Sequence, residues 1–372
     1  MIDSWQTQQR IPLWSKLRLD IPLLCLLAAL AIIGLITLYS ATEQSLSAVR
    51  GQSYRFIGGL LLMTLITQIP PQSFKRWALW IYCGASFLLV LVLIIGDHAK
   101  GAQRWLEIPG VLRFQPAEIM KIAMPLMIAW YLSERSLPPR FLTVIIAFAL
   151  ILVPAALTAL QPDLGTGILI ATSGLIVLLL AGLSWKFIVF VVVSAIPSAI
   201  FMWLFTMHDY QKQRVLTFLD PERDPLGAGW NILQSTTAIG SGGFLGKGWL
   251  AGSQSHLDFL PESSTDFIIA VFSEEFGFVG ICVLLTLYLL VVFRGLYITY
   301  QAQDTFSRLL AGTVSLTFFV YVFINMGMVS GILPVVGVPL PLLSYGGTSI
   351  ITLMTGFGIL MSVHAHRKLL PT

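Results

Sequence analysis

Charged side chains are scarce in this 372-residue chain, at 11% of the residues, whereas a soluble domain carries roughly a quarter. Hydrophobic residues make up 56%. This balance excludes an ordinary soluble enzyme. It predicts an all-α protein that crosses a membrane several times, because helices satisfy their own backbone hydrogen bonds in lipid.

Cysteine is also scarce. Cys25, Cys83 and Cys282 all lie inside apolar runs and lack the spacing of metal ligands. The three cysteines therefore predict neither a disulfide framework nor a cysteine metal site, and they behave as small hydrophobic residues.

Three further absences narrow the function. The net charge is +4, but the chain has no basic run of the kind that binds nucleic acid. It has no nucleotide P-loop, so use of ATP is not supported. Residues 1–20 are polar and lack a cleavage site after a short apolar core, so we expect the first span to remain as an anchor.

About ten apolar segments are long enough to cross a bilayer core, for which about 20 residues suffice. An even number of spans places both termini on one side, and short segments on that side hold slightly more than half of the lysines and arginines. The positive-inside rule therefore predicts that both termini are cytoplasmic. The segments lie near residues 21–41, 54–69, 77–96, 116–133, 141–160, 164–182, 186–206, 266–293, 308–331 and 344–363.

The opposite, extracytoplasmic side collects most of the acidic residues. It carries two large loops, residues 97–115 and residues 207–265. The second joins spans 7 and 8 and is far longer than a simple connection, and long ordered loops are usually functional. We therefore expect one integral-membrane domain over residues 1–372 with its polar chemistry on this side.

Asp266 stands where the second loop runs into the apolar segment 267–293. A charged group at that depth is costly unless it is paired or faces a water-filled cavity, so Asp266 is a candidate functional residue. The alternative is that Thr265 or Asp266 caps the eighth helix. Glu274 and Glu275 lie about two turns further on, on different helix faces, so at least one requires a buried partner.

The first loop and its neighbours offer further candidates. Glu118 and Lys121 are three residues apart and share a helix face; they form either a self-neutralising pair or part of a substrate site. Arg104 beside Trp105 is equally consistent with anchoring at the membrane boundary. Asp163 lies in a tight turn, where it is placed to cap the following helix.

The second loop is polar and cationic near Arg214 and glycine-rich from Gly240 to Gly248, with Lys247 inside the glycine run. Backbone amides of such a segment are able to cradle a phosphate. The alternative is a flexible loop at a membrane surface.

Four motifs together resemble the SEDS family (shape, elongation, division and sporulation), and with the ten-span pattern they cover nearly the whole chain. They are NMGMVSGILPVVGVPLPLLSYGGTS at 325–349, RFQPAEIMK at 113–121, QPDLGT at 161–166 and FLPESSTDF at 259–267. Ser263 and Ser264 stand where the family pattern suggests bulkier polar residues.

The resemblance implies a peptidoglycan glycosyltransferase of cell elongation, located in the bacterial cytoplasmic (inner) membrane. Such an enzyme polymerises lipid II, a disaccharide-pentapeptide on an undecaprenyl pyrophosphate carrier, with its active site on the periplasmic side. Asp266 is then the expected general base of an inverting displacement in which lipid pyrophosphate leaves. Lys121, Arg104 and Arg214, and less directly Lys247, are the cations expected to face the diphosphate.

The remaining expected roles are supporting ones. Glu118 orients Lys121 or helps to bind a cation, Asp163 shapes the site, and Ser344 to Gly347 form a tight re-entrant turn that lines it. No cofactor is certain from the sequence. A divalent cation, Mg²⁺ or Mn²⁺, is an open alternative whose ligands the sequence does not identify.

The family also implies a class B penicillin-binding protein as the transpeptidase partner, together with other membrane proteins of the elongation complex. Two other functions stay open at this point. A lipid II flippase would also place polar residues inside helices and interrupt its spans. A noncatalytic scaffold would tolerate neutralisation of the charged loop residues.

Overall fold

The structure is a computed structural model that describes residues 17–99, 102–108, 112–185, 228–252 and 262–367, with single residues and short pieces between 187 and 220. This part of the chain is mostly helical, and residues Met202–Thr206 form a π-helical turn. Its α-helices are α1 (Ile21–Ala41), α2 (Leu46–Thr67), α3 (Pro71–Ile95), α4 (Pro116–Ser133), α5 (Phe141–Leu160), α6 (Leu164–Leu180), α7 (Ala228–Ser241), α8 (Ile268–Gln301), α9 (Thr305–Val329) and α10 (Thr348–Ala365).

Six of these helices, α1, α3, α5, α8, α9 and α10, are long and apolar enough to cross a membrane, and α6 is apolar but shorter. The chain is therefore a multi-pass membrane protein. Helix α4 coincides with the expected span 116–133, and α2 overlaps the expected span 54–69 but begins at Leu46. Both helices carry charged residues. The expected span at 186–206 lies largely outside the described residues, so the total of ten spans stays a prediction.

Polar caps and prolines set the helix starts. Asp20, Ser45, Asp163 and Asp304 each accept a hydrogen bond from a backbone amide in the first turn of α1, α2, α6 and α9. These amides have no partner within the helix, so a side-chain oxygen at the cap satisfies them. Helices α3 and α4 instead begin with proline, whose missing N–H costs nothing at that position.

The helices pack into two halves. One core joins α1, α2, α8, α9 and α10, and the other joins α3, α4, α5 and α6. Both cores contain residues of α9, which packs against α8 on one side and against α4 and α6 on the other. Helix α9 therefore lies where the two halves adjoin.

The first large loop contains strands, which the all-α expectation missed. β1 (Asp97–Ala99), β2 (Ala102–Ile108) and β3 (Leu112–Phe114) form a small antiparallel sheet in the order β1-β2-β3. Strands this short are decided by pairing rather than by a repeating pattern of their own. The sheet leads directly into α4 and places Arg104 on β2.

Candidate active site

The non-helical segment between α9 and α10, residues 331–347, is the centre of the site, and we call it the central segment. Neighbouring helices approach its backbone at glycines. A Cβ atom added at Gly34 of α1 would lie 2.4 Å from the carbonyl oxygen of Leu342, and one at Gly165 of α6 would lie 2.5 Å from that of Val336. Both contacts are too close for any larger residue.

Asp266 packs against this segment. Its Oδ2 lies 3.4 Å from the position that a Cβ atom would occupy at Gly337, a residue with φ of 74°. Its backbone carbonyl accepts a 2.9 Å hydrogen bond from Nδ2 of Asn325, and the same amide group donates to the carbonyl of Val338 at 2.7 Å. Asn325 is fully buried. One side chain thus fixes Asp266 and the central segment together.

Helix α8 begins after Thr265 and Asp266. The residue before its first turn is Phe267, whose side chain accepts no hydrogen bond from that turn. The expectation that Thr265 or Asp266 caps the eighth helix stays a prediction.

Ser344 also connects the central segment to the residues just before α8. Its hydroxyl donates to the carbonyl of Thr265 at 2.6 Å and accepts from the amide of Leu340 at 2.7 Å. The amide of Tyr345 donates to the carbonyl of Ser264 at 2.8 Å. The turn therefore lies at Leu340 to Ser344, just before the expected one at Ser344 to Gly347, and the buried Ser344 closes it.

Glu118 and Lys121 form an ion pair of 2.7 Å in the first turns of α4, and both side chains are largely buried. The ammonium group also lies 5.5 Å from the ring centre of Tyr321 on α9. Oε2 of Glu118 is buried without a hydrogen-bond partner among the described residues. The pair lines a small cavity together with Pro339 and Pro341 of the central segment and Ser349, Thr352 and Leu353 of α10.

An apolar groove adjoins this cavity. It shares Lys121, Tyr321, Thr352 and Leu353 with the cavity and extends along α9 to Leu310. From Tyr321 to Leu310 the groove follows roughly 16 Å of helix at 1.5 Å per residue. The site is thus polar at one end and apolar along its length.

Asp163 caps α6, as the sequence predicts, through a 3.3 Å hydrogen bond from the amide of Thr166. It also accepts from Nε2 of Gln115 at 2.8 Å, and Nη1 of Arg104 lies 3.8 Å away. Arg104 donates to the carbonyl of Pro162 as well. Arg104 therefore joins the small sheet to the turn before α6, beside the first turn of α4.

One expected phosphate ligand, Lys247, stands apart from this group. Lys247 forms a 2.6 Å ion pair with Glu274 of α8, a contact that gives the fully buried Glu274 a cationic partner. Glu275 accepts hydrogen bonds from the hydroxyl of Ser40 and, at 3.1 Å, from the amide of Leu250. Arg214 lies outside the described residues.

Sequence reasoning assigned no role to Asn325, Gln115 or Tyr321. Asn325 and Gln115 lie inside two of the family-like motifs, and an amide side chain in an apolar helix such as α9 is itself a signal, because burying it requires partners. Tyr321 gave no such signal, since an aromatic residue is ordinary in a membrane helix.

The carboxylates among the described residues do not form a metal site by themselves. Within the described part of the chain no three His, Cys, Asp or Glu residues are close enough to hold one ion. Oε2 of Glu118 is a single available oxygen. A divalent cation held mainly by substrate phosphates needs only one or two protein carboxylates, so its presence stays a prediction.

Comparison with known proteins agrees with this architecture. The FtsW/RodA/SpoVE family model, described as "Cell cycle protein", matches residues 19–369. The chain is 53% identical to "Peptidoglycan glycosyltransferase MrdB" of Escherichia coli K12, over 96% of each chain. It is 35% identical to "Probable peptidoglycan glycosyltransferase FtsW" of Trichlorobacter lovleyi, over 95% of this chain and 94% of the relative.

Two solved structures are similar to the fold. One, from work on "Structural coordination of polymerization and crosslinking by a peptidoglycan synthase complex", has a TM-score of 0.82 and 31% identity over 94% of this chain and 98% of that one. The other, Thermus thermophilus rod shape determining protein RodA, has a TM-score of 0.71 and 28% identity, over 94% of this chain and 97% of that one. The chain therefore belongs to the SEDS family, and it is a multi-pass membrane peptidoglycan glycosyltransferase.

Proposed function

We propose that this enzyme polymerises lipid II and that Asp266 is its general base. The carboxylate takes the proton of the acceptor hydroxyl, the hydroxyl oxygen attacks the anomeric carbon of the donor, and the bond to the lipid diphosphate breaks with inversion. The observation that carries the proposal is the placement of Asp266 against Gly337, on the same short segment whose Pro339 lines the Glu118–Lys121 cavity.

The shape of the cavity and groove supports a lipid-linked substrate. A polyprenyl diphosphate has an anionic head and a long apolar tail. The cavity offers the ammonium group of Lys121 at its polar end, and the groove beside α9 is lined almost entirely by apolar side chains. A soluble nucleotide sugar would have no use for such a groove.

The cations near the cavity have different parts in this proposal. Lys121 faces the diphosphate, where it stabilises the charge that develops as the leaving group departs. Glu118 holds Lys121 in place by their 2.7 Å contact. Arg104 is the second cation, and Asp163 positions it beside the first turn of α4. Ser344 acts by holding the turn of the central segment.

The remaining expectations belong to the same proposal. Arg214 is a further diphosphate ligand from the second loop. Lys247 has a different role, because its ammonium group is paired with Glu274. The site faces the periplasmic side of the inner membrane, and a class B penicillin-binding protein crosslinks the strands with other membrane proteins of the elongation complex. The similar complex described as coordinating polymerization and crosslinking supports this partner class.

Glu274 and Glu275 are among the polar residues inside helices that support the flippase alternative. Glu274 is paired with Lys247, and Oε1 of Glu275 accepts hydrogen bonds from Ser40 and Leu250, so both carboxylates have partners in one local structure. We therefore favour bond chemistry over transport.

The test is polymerisation of purified lipid II by the detergent-solubilised enzyme with its transpeptidase partner. We expect Asp266→Asn to lower the rate at least about 100-fold, the usual scale for a lost general base. Asp304→Asn, which changes the cap of α9 in the folded protein, is the matched control and should polymerise at nearly the wild-type rate.

Three results would count against the proposal. If Asp266→Asn kept wild-type polymerisation, another group would be the base, and Glu118→Gln would be tested next. If wild-type protein made no glycan while lipid II crossed sealed vesicles, transport would replace catalysis. Neutralisation of Asp266 and Lys121 without effect would indicate a scaffold.

A further inference from the structure

Helix α8 is interrupted at Gly277, whose φ of 63° and ψ of −163° are not helical. In an unbroken helix the amides of Phe278 and Val279 would donate to the carbonyls of Glu274 and Glu275, four residues earlier. The break separates these partners, so four backbone groups need others. An unpaired backbone group inside a membrane protein is costly.

A glycine-rich loop supplies all four. We call residues 242–250, which follow α7, the glycine loop. The amides of Lys247 and Gly248 donate to the carbonyls of Glu274 and Glu275, each at 3.0 Å. In the other direction, the amides of Phe278 and Val279 donate to two loop carbonyls, those of Gly243 and Phe244, at 3.0 and 3.1 Å. The loop is thus inserted into the hydrogen-bond ladder of α8.

Insertion of the loop requires glycine both in the glycine loop and in α8. A Cβ atom at Gly246 would lie 2.1 Å from the carbonyl oxygen of Glu275, and one at Gly277 would lie 2.2 Å from the amide nitrogen of Gly246. A Cβ atom at Gly242 would lie 2.2 Å from the carbonyl oxygen of Ser273. Three glycines therefore meet backbone at distances that no other residue permits, which explains the composition of the loop.

Side chains add to the contact between the glycine loop and α8, which we call the joint. The ammonium group of Lys247 lies 2.6 Å from Oε1 of Glu274, a carboxylate with no solvent exposure. The hydroxyl of Ser241 lies 3.4 Å from the same oxygen. The indole of Trp249 donates to the carbonyl of Ile36 at 3.3 Å, so the loop also touches α1. Removing the ammonium group would leave a buried carboxylate without its counter-charge.

The joint connects to the catalytic base through one short helical piece, Ile268–Phe276. Asp266 lies two residues before this piece, and Glu274 lies near its other end. Every residue from Phe267 to Glu275 is buried, so the piece is held on all sides. Over roughly 13 Å of helix, a displacement at Glu274 is transmitted to Asp266.

We propose that Lys247 and Glu274 are a positioning pair for Asp266, acting through this helical piece. The inference rests on the proposed role of Asp266 and extends it. The pair does not contact the substrate. It fixes one end of the helical piece Ile268–Phe276, and Asp266 lies just before the other end. Misplacing a catalytic group by about 1 Å is enough for a large loss of rate.

The decisive variant is the double substitution Lys247→Met with Glu274→Leu. Glu274 is fully buried whereas Lys247 is partly exposed, and replacing both leaves no buried charge without its counter-charge, so this enzyme should fold with nearly the wild-type Tm. We expect its kcat for lipid II polymerisation to fall about tenfold while KM stays within about twofold, the pattern of a lost transition-state interaction. Lys75→Met with Glu134→Leu removes an exposed ion pair of the same 2.6 Å length and should leave kcat unchanged.

Two kinetic results overturn the proposal. Wild-type kcat and KM in the double variant would show that the pair does not position the base. A raised KM with unchanged kcat would show that Lys247 contacts lipid II itself. If the double variant does not fold, Glu274→Asp replaces it as the test, because this substitution keeps the charge and removes one methylene group. A reduced kcat in Glu274→Asp supports positioning, and a wild-type kcat contradicts it.

Backbone hydrogen exchange at residues 264–270 provides a readout that does not depend on activity. Faster exchange in the double variant than in wild type supports the mechanical connection, and equal exchange contradicts it. If wild-type enzyme made no glycan, or if Asp266→Asn were active, the proposed function would fail while this measurement would still test the connection.

Discussion

Asn325 holds two carbonyls of the site with one amide group, those of Asp266 and Val338. Asn325→Asp keeps the shape and removes the donor, so two buried carbonyls lose their partner. We expect a loss of about 2–4 kcal/mol of stability, since each unsatisfied buried group costs about 1–3 kcal/mol. Polymerisation should fall as well, because the backbone at Asp266 loses its tether.

Thermal unfolding in detergent and the polymerisation rate measure both effects. Ser330→Ala, just beyond the end of the same helix, removes an exposed hydroxyl that bonds only to its own helix, and it should change neither. Wild-type stability in Asn325→Asp would show that Asn325 does not join the two segments.

At the scale of single residues, local spacing made some contacts predictable. Glu118 and Lys121 are three residues apart, and Asp163 precedes a helix, so their ion pair and cap follow from helix geometry. The partner of Glu274 did not follow, because Lys247 comes from a distant loop. Asp266 was identified by its position at the start of an apolar run, but the contact with Gly337 depends on how two connections fold together.

Asp20 joins the ends of three helices. It caps α1, Nη2 of Arg294 in α8 lies 2.5 Å from its Oδ2, and Nε2 of His364 in α10 lies 3.4 Å from the same oxygen. Burial raises the pKa of Asp20, but the hydrogen bonds from Arg294 and the Leu23 amide, with the nearby positive charge, outweigh it and leave the pKa below its usual value. The carboxylate form is therefore the stabilising one.

Asp20→Asn should lower stability by about 2–3 kcal/mol, combining a lost ion pair with a weaker cap. Because the folded pKa lies below the unfolded value of about 3.9, this contribution is present above that pH and is lost as the pH falls through the folded pKa. The free energies of unfolding of wild type and Asp20→Asn should therefore differ near pH 7 and become equal in acid.

Asp304→Asn changes a cap that the structure shows without an ion pair, so its difference from wild type should be smaller at neutral pH. If the difference in the free energy of unfolding between wild type and Asp20→Asn stayed constant down to acid pH, the charge of Asp20 would not be what stabilises the fold.

At the scale of helices, boundaries were most predictable where proline or a cap marks them. The expected spans 21–41 and 116–133 coincide with α1, which Asp20 caps, and with α4, which begins with proline. The expected span 266–293 becomes a helix that continues to Gln301. The break at Gly277 could not be predicted, since glycine alone does not stop a helix. It depends on the glycine loop, which replaces the missing hydrogen bonds.

At the scale of the whole molecule, the orientation of the helices across the membrane can be tested. Gln44 lies in the turn between α1 and α2, and Gln72 lies in the first turn of α3, at the opposite end of α2; both are exposed. Cytoplasmic termini place Gln44 outside and Gln72 inside. In a background with Cys25, Cys83 and Cys282 replaced by alanine, an impermeant maleimide added to intact cells should label Gln44→Cys and spare Gln72→Cys.

Labelling after cell lysis is the control, and it should reach both cysteines. The reverse pattern in intact cells would invert the topology and place the cavity on the cytoplasmic side. Equal labelling in intact cells would show that α2 does not cross the membrane.

At this largest scale, the membrane class followed from composition and the family from four motifs. The division into two packed halves joined by α9 did not follow, because every apolar helix could in principle contact any other. Nor did the groove, which exists only where three particular helices adjoin.

The central segment, residues 331–347, is made late in synthesis, and it meets Gly34 of α1, Gly165 of α6 and Asp266. A chain still being made on the ribosome holds the earlier helices in the membrane but lacks the backbone that brings their side chains together. The enzyme therefore acquires its site in one late step, after α9 and α10 are inserted, and no shorter nascent chain can begin to join sugars.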